Sequence, residues 1–279
     1  MFGTDCSTVY WPLLKGFTLA EEKNGGSHIV KIALGEIIGT FLMCFLGIGA
    51  VANATLGVSG AFGGPFQVGM VWGITIAIAI YCTRNLSCAH FNPAVTFAMC
   101  ITGRLPWKDF VPYVVFQFIG AIIAAALLWV LFGDSCLALG SSVDWSSIWA
   151  ERTPNGVGVA SMLTGCIAEA VGVFILVFVI FSMTEDANCG KPGDVIFPLF
   201  IGLTVTMIIC VVGPITDAGL NPARDLGPRV IAAICGMKDA MNGDVLATLV
   251  IYTVGPLVGG ALAGLFFTKV VEPAHPKAK

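Results

Sequence analysis

Charge is what this chain has least of. Asp, Glu, Lys and Arg make up 11% of its 279 residues, against roughly 25% in a soluble domain. With 57% hydrophobic residues and a mean hydropathy of +0.90, that scarcity excludes a soluble enzyme and points to a polytopic membrane protein. The net charge of −3 is too small to suggest a nucleic-acid partner. The first 28 residues carry Thr4, Asp5, Lys15, Glu21, Glu22 and Lys23. They lack a basic start followed by an apolar stretch, so no signal peptide is expected. Five of the ten cysteines fall inside apolar runs (Cys44, Cys82, Cys100, Cys166, Cys210), where thiols pack as small apolar groups. Only Cys136 and Cys235 look placed for exposed pairing, so no disulfide framework is expected.

What is present is length without charge. Six apolar segments run near the ~20 residues that a spanning helix needs. They lie at about Ile29–Ala52, Phe62–Cys82, Phe110–Phe132, Val159–Met183, Val195–Gly213 and Val245–Thr268. Two shorter segments lie between the second and third spans and between the fifth and sixth. Each opens on Asn-Pro-Ala: Asn92-Pro93-Ala94 and Asn221-Pro222-Ala223. Asn is favoured at a helix N-cap and Pro at the first helical position. From Pro93 to Thr102 is about 15 Å of helix, half of a ~30 Å hydrocarbon core. Two such half-helices, in matching positions of two halves, point to a site at the midplane.

An internal repeat supports this. Gly35-Glu36-Ile37-Ile38-Gly39-Thr40-Phe41 matches Ala168-Glu169-Ala170-Val171-Gly172-Val173-Phe174. Three spans per copy is an odd number, so the copies lie upside down relative to each other. The expected fold is all-α and integral to the membrane: six transmembrane helices, two re-entrant half-helices and an inverted 3+3 repeat. Residues 1–28 and 269–279 read as cytosolic tails, 29–132 and 159–268 as the repeats, and 133–158 as an outer connecting loop. That loop either folds over the outer vestibule or is a plain linker. With both termini inside, ten of the fourteen basic residues are cytosolic, as the positive-inside rule requires.

The first N–H groups of each half-helix lack helical partners and carry about half a positive charge. Such ends are tolerated at membrane depth only beside protein or a watery cavity. The side-chain oxygens of Asn92 and Asn221 are expected to cap their own helices, leaving the amide NH₂ groups free to donate into an aqueous path. The joint field of the helix ends repels cations and protons. Arg224, one turn into the second half-helix, would be costly without water; facing the path, its five donors meet hydroxyl oxygens. The competing reading is a surface Arg paired with Asp225. Glu36 and Glu169, inside spans, read either as a proton or Na⁺ relay or as acceptors for the irregular backbone entering each half-helix. Their symmetric placement favours the second. Gln117 and His90 read as satisfied buried polar groups, His90 as a loop brace rather than a metal ligand. Asp225 reads as a tether for nearby backbone. No metal and no cofactor is expected.

With Glu36, Ser87 to Val95, Gln117, Glu169 and Gly219 to Arg229, the chain resembles the major intrinsic protein family, the aquaporins, from Lys31 to Lys269. It is similar in particular to the glycerol-conducting branch, the aquaglyceroporins, which carry an Asp after the second Asn-Pro-Ala-Arg (Asp225) and a basic residue four further on (Arg229). The resemblance implies the aquaporin fold, a homotetramer with one pore per subunit, and a four-residue filter near the outer mouth. Carried over by spacing, the filter is Trp72, Ile209, Ala218 and Arg224. Water-only channels have a His at the Ile209 position, and bacterial glycerol facilitators have Gly there and an aromatic at the Ala218 position. The implied function is passive passage of glycerol, water and related solutes such as urea or other polyols, with ions and protons excluded. The alternative is an ion-coupled secondary transporter, since inverted repeats with broken helices serve those too. A scaffolding protein would not need Arg224. The expected location is the plasma membrane. The sequon Asn53-Ala54-Thr55 falls in a short first outer loop, where glycosylation is not favoured.

Overall fold

The computed structural model describes residues 25–56, 64–138, 162–236, 240–241 and 244–275. The tail and outer-loop assignments therefore fall largely outside the described residues. Six described helices are long and apolar enough to cross a membrane. They are α1 (Gly25–Leu56), α2 (Pro65–Thr83), α4 (Trp107–Ala138), α5 (Met162–Thr184), α6 (Phe197–Thr216) and α8 (Val245–Ala274), with the short helices α3 (Pro93–Ile101) and α7 (Pro222–Ile234) between them. The expected spans match these in order. The first and third are longer than their apolar runs, because a helix continues past its apolar core into polar residues that still satisfy the backbone. Asn53 sits inside α1, part-buried, so the sequon belongs to a helix and not to a loop.

The bundle wears its apolar residues outside as well as inside. Val30, Leu34 and Ile38 on α1, Val115 and Ile119 on α4, and Val258 and Leu262 on α8 are all exposed. In water this would be an aggregation surface; against lipid tails it is the matching solvent. The last span is not a uniform α-helix. It carries π turns at Val250–Val254 and Phe267–Val271. The first of them holds Tyr252, whose hydroxyl donates to the carbonyl of Thr216 (3.0 Å), at the C-terminus of α6.

Packing is crosswise at the centre. α3, from the first repeat, rests on α8 of the second, while α7 rests on α4 of the first. Glycines make these approaches close. A Cβ on Gly260 of α8 would stand 2.8 Å from the carbonyl oxygen of Ala94, and one on Gly227 of α7 would stand 2.7 Å from Ala121 Cβ. Cys88, on the loop into α3, is disulfide-bonded. That bond was not expected, since pairing depends on which thiol the fold brings to it. The five cysteines of the apolar runs are free thiols, in keeping with a packing role.

Candidate functional site

Each half-helix begins as its sequence dictates. Asn92 and Asn221 are extended N-cap residues with Pro next in line. Asn92 Oδ1 accepts from the Ala94 N–H (2.8 Å). Asn221 Oδ1 accepts from the N–H groups of Ala223 (3.0 Å) and Arg224 (3.2 Å). The amide NH₂ groups, however, are not both turned loose into the path. Asn92 Nδ2 donates to the Leu220 carbonyl (2.9 Å), and Asn221 Nδ2 donates to the Phe91 carbonyl (2.7 Å). Each asparagine thus spends one amide hydrogen on the backbone of the opposite repeat. An NH₂ group has a second hydrogen. The sequence could not reveal the tie, because it exists only where the two loops meet.

The loop ahead of each asparagine is held by a fully buried glutamate. Glu36 accepts from the Ser87 hydroxyl (2.6 Å), the His90 N–H (3.1 Å), the Phe91 N–H (2.7 Å) and Gln117 Nε2 (2.8 Å). Glu169 accepts from the Thr216 hydroxyl and from the N–H groups of Gly219 (2.9 Å) and Leu220. Ser87 and Thr216 in turn accept from Ala89 and Ala218 N–H. Both carboxylates are therefore engaged by the irregular backbone. His90 acts in the same network, its Nδ1 paired with Thr96 Oγ1 (3.2 Å) and its ring 4.7 Å from that of Tyr113. Among the described residues no cluster suited to a metal ion exists.

Strain marks the same loops. Ala89, Phe91, Ala218 and Leu220 all have positive φ, between 53° and 56°, a region that L-residues with a Cβ enter reluctantly. They stand at equivalent places in the two repeats, and the glutamate networks hold them there. The residue before each Asn also needs room. A Cβ on Gly39 would reach within 1.9 Å of the Phe91 ring, and one on Gly172 within 2.5 Å of Leu220 Cδ2. Gly39 and Gly172 each sit one turn beyond the bracing glutamate.

These parts line a common cavity. Its lining includes Asn92, Asn221, Trp72, Ile209, Ala218 and Arg224, together with Met43, Val95, Met99, Leu176 and Val205. The four residues carried over by spacing are thus brought to one lumen. Arg224 is 5% exposed, and its guanidinium carbon lies 4.7 Å from the Trp72 ring centre. Asp225 takes Arg229 in a buried two-point pair (Nε–Oδ2 2.8 Å, Nη2–Oδ1 2.8 Å), and Arg229 continues to the Ala240 carbonyl (2.9 Å). The pair spans four residues, the natural reach of one helical turn.

Against the family model described as Major intrinsic protein, residues 25–267 match. The chain belongs to this family. Human aquaporin-9 is 32% identical over 259 residues, covering 90% of this chain and 86% of that protein. The glycerol uptake facilitator protein of Escherichia coli is 32% identical over 250 residues, covering 85% and 87%. Among solved structures, the aquaglyceroporin from Plasmodium falciparum superposes with a TM-score of 0.79 at 28% identity, covering 88% of this chain and 98% of that one.

One charged lining residue of this major intrinsic protein is not marked by its sequence. Arg84, the C-cap of α2, also lines the cavity. It donates to the Asp194 carbonyl (2.6 Å), and its guanidinium carbon lies 5.7 Å from the Phe197 ring. In the sequence it counts only as one basic residue among ten on the inner side. Nothing local marks it as facing a lumen, because its neighbour Asp194 is 110 residues away.

Proposed function

We propose that the chain is a passive channel for glycerol, water and related small neutral solutes, urea and other small polyols among them, and that it excludes ions and protons. The observation that carries this reading is the two-sided lumen. An indole and the aliphatic side chains of Ile209 and Val205 face it together with a guanidinium and two asparagine amides. A polyol has a CH face and an OH edge and needs both. The named functions of the relatives, a glycerol uptake facilitator and an aquaglyceroporin, support the same reading.

In this reading Trp72, Ile209, Ala218 and Arg224 form the filter. Asn92 and Asn221 orient each solute at the centre with their remaining amide hydrogens, within the Asn-Pro-Ala pairs completed by Pro93, Ala94, Pro222 and Ala223. Glu36, Glu169, His90 and Gln117 hold the loops. Asp225 fixes Arg229 one turn further along α7. The protein is a homotetramer in the plasma membrane with both termini cytosolic, its two repeats at 29–132 and 159–268 joined by an outer connection at 133–158 that begins on the last turns of α4. An ion-coupled transporter would need titrating groups that change partners, whereas both membrane-buried glutamates already accept from loop backbone.

Swelling of proteoliposomes tests the proposal. Glycerol flux is expected not to saturate, to have a low activation energy and to ignore Na⁺ and H⁺ gradients. Saturating flux that follows either gradient would overturn it. A second test addresses the filter. Ile209 is 8% exposed and lines the lumen, so Ile209→His should cut glycerol flux about tenfold, the scale at which an apolar pocket rejects one extra group, while water flux falls less. Equal losses would remove position 209 from the filter.

A further inference from the structure

We propose that Gly47 sets the width of the filter by fixing where the Trp72 indole stands; the inference rests on reading Trp72 as a filter wall. Gly47 is buried on α1, one turn beyond Met43, which itself lines the lumen. A Cβ at Gly47 would lie 2.4 Å from Trp72 Cδ2 and 2.5 Å from both Cε2 and Cε3. Cδ2 is a bridgehead with no outward edge, so the approach is onto the ring's face. The backbone of α1 is therefore the back wall against which the indole rests.

A methyl group there has to be accommodated by movement, and the surroundings leave one direction. α2 cannot retreat bodily, because its other side is clamped to α6. A Cβ on Gly73 would meet Thr206 Oγ1 at 2.1 Å and the Gly202 carbonyl oxygen at 2.6 Å, and the Thr206 hydroxyl donates to the Gly69 carbonyl (2.8 Å). With the helix held, the ring itself yields, away from α1 and toward the lumen, where the Arg224 guanidinium waits at 4.7 Å. Displacement narrows the passage between the indole and the residues facing it. Glycerol, which needs the full width, meets the step before water does. Gly47 is thus a positioning residue: it shapes selectivity through Trp72.

The test measures glycerol and water permeability of full-length protein in proteoliposomes for four variants. Gly47→Ala should lower glycerol permeability roughly tenfold, the effect of mild overpacking on a permeation barrier, with water permeability little changed. Gly49→Ala is the control: its added Cβ would face Leu128 Cδ2 at 3.3 Å, on the α4 side, and should leave the glycerol-to-water ratio at the wild-type value. Trp72→Phe trades the indole for a smaller ring, which has room to turn aside from the methyl. It should shift the ratio by itself, and adding Gly47→Ala to it should cause no further loss.

Four outcomes decide the matter. Selective glycerol loss in Gly47→Ala that disappears in the Trp72→Phe background supports the proposal. An unchanged ratio in Gly47→Ala, while Trp72→Phe shifts it, overturns the role of Gly47 and spares the filter reading. No shift from Trp72→Phe sinks the filter reading, and this inference with it. Loss of both fluxes in Gly47→Ala that the double variant does not restore means the methyl breaks the bundle, which also overturns the proposal.

Discussion

Replacing Arg224 by Val is expected to turn a channel that rejects ions into one that leaks them. The guanidinium lines the narrow lumen beside Trp72 and carries a permanent charge. A cation passing about 4 Å from it, at an effective dielectric near 20, meets roughly 4 kcal/mol of repulsion. Each ~1.4 kcal/mol is a factor of ten, so removing the charge should raise cation and proton permeability by up to roughly a thousandfold. The leak will not be complete. The two half-helix ends, each carrying about half a positive charge, and Arg84 stay in the lining. Proton flux is read from an enclosed pH dye and cation flux from voltage clamp, with water permeability as the check on folding. Ion conductance that stays at the wild-type level would show that Arg224 is not the barrier.

Removing a bracing carboxylate should be more damaging still, and of a different kind. Glu169→Ala leaves the Thr216 hydroxyl and the Gly219 and Leu220 N–H groups without their acceptor. Each buried donor left unsatisfied costs about 1–3 kcal/mol, and the three together reach roughly the whole stability of an ordinary domain. Leu220 would also be released from a positive-φ conformation that it holds only under constraint. The expected result is protein that fails to accumulate or that aggregates in detergent. Glu169→Gln keeps one carbonyl acceptor and should give a folded but less stable channel with glycerol flux retained. Should Glu169→Ala fold with normal stability, the bracing account fails. Should Glu169→Gln fold yet lose transport entirely, the relay reading of a coupled transporter regains its ground.

The parts of this molecule that sequence reading anticipates are the ones governed by near neighbours. Asn92-Pro93 and Asn221-Pro222 announce helix starts because N-capping is settled within four residues. Glu36 and Glu169 stand out because a carboxylate inside an apolar run needs an explanation. Their partners are another matter: Glu36 reaches Ser87 across 51 positions and Gln117 across 81, and only the fold sets those distances. The Asn92 amide bound to Leu220, and Asn221 bound to Phe91, could not be read from either motif alone. The Asp225–Arg229 pair is the reverse case. Its four-residue spacing is local, so the sequence alone carries the signal of a helical ion pair. Arg84 was hidden for a plainer reason, since whether a helix cap faces a lumen or the cytosol depends on what the neighbouring helices leave open.

The reciprocal asparagine ties carry a consequence for how such a chain can exist in pieces. Each repeat supplies an amide that the other must accept, and each lends its closing helix as the bed for the other's short one. Cut between α4 and α5, either half would expose a helix end, an unanswered amide and an unanswered carbonyl at the depth where lipid offers no water to replace them. Neither half is self-sufficient. A lone half would become whole only by meeting an inverted copy, and expressing the halves separately should yield function only when both are present in one membrane.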